Sequence, residues 1–291
     1  MFRRFSSISL TRLTPVLTVF VLLLLIVSVK RLYPSSALTG NGKGDPLETG
    51  NGIVDFQKQT LESFWNDTAA KNIRIRTLKE SLINLLDELD VTIRKEVPEN
   101  KIYGNIFSGK ATQQIESYIS AILGFNERYQ IKTICEIGFA GGHSATLFLH
   151  VTDKSVSYTA FDIWDQPLYE DVAINWVKRQ FPDRQITLLK GDARKTVPSF
   201  TGSCDLIHID GAHHAKFPQT DMKNMFRVAS ANNLLLIDDC TKSWPAVLEG
   251  VKYLESNNLV FGIKKFIAEG WSHRGAQKGW CIGRYKKGQS N

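Results

Sequence analysis

Cysteine is scarce in this chain: there are four, Cys135, Cys204, Cys240 and Cys281. They form no CxxC and show no zinc-ligand spacing, which excludes a zinc ribbon or finger. Cys135 sits inside an apolar run and is expected as a packed thiol. No internal repeat is visible, so a solenoid or propeller is excluded. A basic surface is also lacking, despite a formal net charge of +7. Five cations, Arg3, Arg4, Arg12, Lys30 and Arg31, crowd the first 31 residues, which hold no acid. Setting those five aside from 36 Lys and Arg leaves 31, against 29 Asp and Glu. The remainder is nearly neutral and offers no footprint for a phosphate backbone, so no nucleic-acid partner is expected.

Charge is absent from residues 15–29, "PVLTVFVLLLLIVSV", and Leu13 and Thr14 extend the run. That is the lower limit of a membrane-spanning helix. The flanking cations favour a cytoplasmic N-terminus. The sequence therefore predicts a short tail (1–12), a transmembrane signal anchor (13–31) and a Gly/Ser/Pro-rich stem (32–53). A helical region (54–104) and a larger domain (105–291) follow. The expected location is a single-pass type II membrane protein of the Golgi or ER with a lumenal domain. A cleaved signal ending near Ser35-Ser36-Ala37 (a secreted product) and a mitochondrial presequence are the alternatives. Asn66-Asp67-Thr68 is a glycosylation sequon. Leu78, Leu82, Leu85, Leu86 and Leu89 share one helical side. That side either covers a sheet or pairs with another copy, so a homodimer is one expectation.

From residue 131 the pattern changes. "IKTICEIG" (131–138), "SVSYTAFD" (155–162), "ITLLKGD" (186–192), "CDLIHID" (204–210) and "LLLIDD" (234–239) are short and β-rich. Helical stretches at 143–151, 168–181, 216–229 and 244–256 separate them. Strand-helix alternation predicts a doubly wound, mostly parallel α/β sheet of Rossmann-like form with helices on both faces. "LVFGIKKFIA" and "GWCIGRYKK" read as a closing hairpin.

Ligands of such sheets bind beyond the carboxyl ends of the strands. The first strand ends "EIGFAGGHS" (136–144), where Gly138, Gly141 and Gly142 allow a tight turn into a helix. Ala140 breaks the dinucleotide fingerprint G-x-G-x-x-G. Asp162 ends the second strand and can accept from a ribose diol. Asp192 ends the third, within reach of an adenine amine. Either Asp reads equally as a helix N-cap.

With these residues in view, 105–286 resembles the class I S-adenosylmethionine-dependent methyltransferases. The resemblance is to the catechol-type and sugar O-methyltransferases of methyltransferase family 24. E-x-G-x-x-G-G-x-S at 136–144 carries it. The resemblance implies a seven-stranded sheet with an antiparallel last strand. It also implies that Glu136, Gly138, Gly142, Ser144, Asp162 and Asp192 surround S-adenosyl-L-methionine. Asp210, Asp238 and Asp239 fall where metal-dependent members hold magnesium, and three converging carboxylates would favour a hard cation. His213, three residues after the first acid, falls at the general base. The bland readings are a turn at Asp210, a helix cap at Asp239 and a loop histidine at 213. Trp164, Trp244, Trp271 and His273 are rim candidates. The expected reaction is methyl transfer to a hydroxyl of a small molecule or glycan. A membrane-tethered binding protein that kept the fold without turnover, and a metal-independent methyltransferase, are the rival readings.

Overall fold

Short β-branched runs pair as central strands, and the helices between them bury one apolar face each. The computed structural model describes residues 68–102, 112–273 and 276–287. The chain order is α1 (Thr68–Glu96), a 3-10 turn (Glu99–Lys101), α2 (Thr112–Asn126), β1 (Thr133–Ile137) and α3 (His143–Val151). Then come β2 (Ser157–Asp162), α4 (Pro167–Gln180), β3 (Ile186–Lys190), α5 (Ala193–Ser199) and β4 (Cys204–Ile209). α6 (Phe217–Val228), β5 (Ala229–Asp238), α7 (Pro245–Ser256), β6 (Val260–His273) and β7 (Ala276–Tyr285) complete it. Pro167, Pro218 and Pro245 stand in the first turns of α4, α6 and α7, where the missing N–H costs nothing. The short α5 after β3 had no apolar periodicity to announce it.

Seven strands form one sheet in the order β3-β2-β1-β4-β5-β7-β6. β1 to β5 pair parallel, and β7 runs antiparallel between β5 and β6. The expected closing hairpin is therefore present, with the last strand inside and β6 at the edge. The strand order reverses between β1 and β4, which is where sheets of this kind open a crevice. One face packs Ile134, Tyr158, Leu206 and Leu236 under helices α1 to α4. The other packs Ile207, Ile209, Leu235 and Ile237 under α6 and α7.

Two expectations change here. Leu82, Leu86, Leu89 and Ile93 of α1 are 0–3 % exposed within the chain's own core, so that stripe covers this fold rather than waiting for a second copy. Among the described residues no helix is long and apolar enough to cross a membrane. α1 has the length, but charged side chains alternate with its leucines. That finding overturns the single-pass type II placement with a lumenal domain in the Golgi or ER. The apolar run 13–31 and the sequon at 66 lie outside the described residues.

The cysteines also differ from expectation. Cys135 is not a free packed thiol: it is bonded to Cys204, and Cys240 to Cys281, each pair 5.7 Å apart at Cα. β1 and β4 are sheet neighbours, which brings together two cysteines 69 residues apart in sequence.

Candidate active site

The carboxyl ends of the parallel strands hold most of the strained backbone. Ala140, Trp164, Ala215 and Asp239 have positive φ, and they follow β1, β2, β4 and β5. Such positions cost energy and gather at functional sites. After β1 the chain turns through Gly138 (φ 94°) and Gly142 (φ 73°) into α3. A Cβ on Gly138 would lie 2.1 Å from the Asp210 carbonyl oxygen, so only glycine lets this turn pass β4. Asp162 shapes the turn. Its Oδ2 accepts from the backbone N–H of Phe139 (2.6 Å) and Ala140 (3.0 Å), and its Oδ1 from Trp164 N–H (2.9 Å). Glu170 on α4 stands close by; burial first, then Asp162 and Asp165, push its carboxyl up to about 8.

Glu136 lies beneath this turn, fully buried. It accepts from Ser144 and Tyr158, and His208 Nδ1 lies 2.8 Å from its Oε1. Burial alone would lower the His208 pKa, but Glu136 outweighs it and the net direction is upward. Glu136 and Ser144 thus meet in a network under the glycine turn. Asp192 is the N-cap of α5, accepting from Arg194 N–H at 2.9 Å. The Arg194 guanidinium also grips it, holding its carboxyl down at about 2.

The second half of the crevice is acidic. His213 Nε2 lies 3.2 Å from Asp210 Oδ1 and 3.6 Å from Asp239 Oδ2. The Trp244 ring lies 4.8 Å from the imidazole, centroid to centroid. Burial works to lower the His213 pKa, but the hydrogen bond and charge of Asp210, with Asp239 and Asp238, raise it. Asp238 is 5 % exposed. Its Oδ1 accepts from Gln114 Nε2 (2.8 Å) and Asp239 N–H (2.7 Å). Lys278 of β7 donates to Asp238 Oδ2 (2.6 Å) and Asp239 Oδ1 (3.1 Å). Burial raises Asp238, but Lys278 and His208 outweigh it and carry it below the usual range. Burial and the Asp238 charge push Asp239 up to about 6.

The fold therefore gathers the predicted residues in two groups. Glu136, Gly138, Gly142, Ser144 and Asp162 meet at the β1 turn, with Asp192 on the β3 end. Asp210, His213, Asp238 and Asp239 meet beyond β4 and β5. Lys278 and Gln114 are the additions that the sequence did not announce. Trp164 packs against Phe139 and under Lys190. The side chains of Trp271 and His273 lie outside the described residues.

Among the described residues, two side-chain groups bring ligand atoms within 4.8 Å of one another: Asp210, His213 and Asp239, and His208, Asp210 and Asp238. The expected trio of Asp210, Asp238 and Asp239 is not a set of this kind. Magnesium asks for oxygen ligands in near-octahedral order. Here an ammonium is already bonded to two of the three acids, and it would repel a second cation. The donors as arranged do not fit magnesium.

Residues 135–240 match the family model described as a methyltransferase domain. The fold and the matched segment agree on the class: the chain carries a methyltransferase domain. The particular group that the match points to is methyltransferase family 24. Solved structures share the fold. An O-methyltransferase from Bacillus cereus, in complex with SAH, is 13% identical with a TM-score of 0.53, covering 70% of this chain and 91% of that one. A protein assigned provisionally as an O-methyltransferase from Klebsiella pneumoniae is 13% identical with a TM-score of 0.51, covering 75% and 97%. Another, assigned provisionally as a caffeoyl-CoA O-methyltransferase from Staphylococcus aureus, is 16% identical with a TM-score of 0.50, covering 71% and 98%. No curated protein matches the chain.

Proposed function

We propose that the protein transfers a methyl group from S-adenosyl-L-methionine to a hydroxyl of a small-molecule or glycan acceptor. One observation carries this reading: a glycine turn and an acid–imidazole cluster touch at the switch point of the sheet, with Gly138 packed against Asp210. The turn suits the cofactor. Gly138 and Gly142 take positive φ, and the turn they make leads directly into the N-terminus of α3. Gly138, Gly142 and Asp162 would hold the cofactor directly. Glu136 and Ser144 would support the turn from below, and Asp192 would close the adenine end. When bound, the sulfonium supplies an electrophilic methyl.

His213 is the base. If Nε2–H donates to Asp210, Nδ1 is the basic nitrogen, and Asp210 fixes that tautomer as an acid does in acid–histidine pairs. The acceptor O–H proton passes to Nδ1 as the C–O bond forms and the C–S bond breaks. The imidazolium then returns its proton to solvent. Most of the acceleration comes from holding oxygen and methyl at near-attack distance. Magnesium dependence is not part of this reading.

Calorimetric titration of S-adenosyl-L-methionine into the folded chain tests it. Micromolar binding, lost in Gly138→Ala, is the expected result. Folded protein that binds no cofactor would sink the reading and favour a binding protein that kept the fold.

A further inference from the structure

Three carboxylates at one sheet edge require positive charge from somewhere, because burial of unpaired charge is costly. The chain itself supplies it. In the β5–β7 register Asp238 pairs with Trp280, and side chains alternate along a strand. Lys278, two residues from Trp280, therefore projects on the face that Asp238 occupies. Its ammonium bridges the two acids, at 2.6 Å from Asp238 and 3.1 Å from Asp239, and its side chain is 14 % exposed. The Cys240–Cys281 disulfide ties the residue after Asp239 to the strand that carries Lys278. Gln114 takes the remaining oxygen of Asp238, while His213 faces Asp210 and Asp239. Each acid of the cluster already meets a cation or a donor of the chain.

We propose that Lys278 is the resident cation of this site: its ammonium stands where a divalent ion would stand between Asp238 and Asp239, and the site takes no metal. Only the label of the cluster as the acceptor end rests on the methyltransferase reading. The occupancy of the cluster by Lys278 does not.

Manganese, whose free ion is read by electron paramagnetic resonance, is the probe. It is titrated into the full chain as wild type, Lys278→Met and Lys278→Arg. The wild type is expected to leave manganese free up to on the order of 1 mM. Lys278→Met should bind one ion at least about tenfold more tightly, and Lys278→Arg should behave as the wild type. A single tight site in the wild type that Asp239→Asn removes would overturn the proposal, whether or not Lys278→Met folds. Folded Lys278→Met that binds no better than wild type would overturn it too, since the acids would then not be a cation site. Cofactor calorimetry on the same wild-type sample keeps the two readings apart. Its failure would end the methyltransferase reading and leave the manganese result standing.

Discussion

Gly138 adopts φ 94°, and a Cβ there would meet the Asp210 carbonyl oxygen at 2.1 Å. Gly138→Ala is expected to cost at least about 2 kcal/mol of stability and to abolish cofactor binding, read by urea denaturation and calorimetry. With His213 as the proposed base, His213→Asn should lower turnover about 10²–10⁴-fold and leave cofactor binding intact. Because its neighbours raise its pKa, the neutral base forms at higher pH than in an ordinary histidine. The rate should therefore climb with pH through a midpoint above about 6.5. A midpoint below that value would remove His213 as the base. Asp221 lies outside this chemistry. It is 3 % exposed, its Oδ1 has no hydrogen-bond partner among the described residues, and burial, then Asp192, lift its carboxyl to about 7. The folded state keeps a proton that the unfolded chain releases above about pH 4, so stability falls from about pH 4 to about pH 7 and stays low beyond. Asp221→Asn should flatten that slope and gain on the order of 2–4 kcal/mol at pH 8 relative to its effect at pH 4. Equal pH slopes in variant and wild type would contradict this.

Elements decide what the residues can do together. α1 buries Leu82, Leu86, Leu89 and Ile93 in the core it shares with α2, α3 and α4, and Leu89→Ala should cost about 2–5 kcal/mol. β7 does more than join β6 to the sheet: it carries Lys278 to the acids, and the Cys240–Cys281 bond fastens it to the β5 loop. Replacing both cysteines with serine should cost about 2–4 kcal/mol, measured by denaturation under oxidising conditions. The strand-end acids Asp162, Asp210, Asp238 and Asp239 were legible because each closes an apolar run, a local pattern. Lys278 was not. The closing hairpin was legible, but the place of Lys278 depends on the antiparallel register of β7 against β5, which nearby residues do not specify. Gln114 was hidden in the same way: it sits on an amphipathic helix whose docking alone aims it at Asp238.

At the scale of the whole molecule, cofactor binding should act on stability as one equilibrium. At a concentration about 100 times its dissociation constant, S-adenosyl-L-methionine should add about 2.7 kcal/mol and raise the melting temperature by roughly 5–10 °C. A melting temperature that does not move would count against the cofactor site. The sequence by itself determined the doubly wound sheet, because strand and helix periods and turn residues are local, and so are the glycines and acids that end the strands. The tertiary structure alone decided which charges meet. It paired all four cysteines, turned the α1 leucines inward, and set Lys278 between Asp238 and Asp239. Each of these needs two segments far apart in the chain to come into contact, and such contacts are fixed by packing and register rather than by any short stretch of residues.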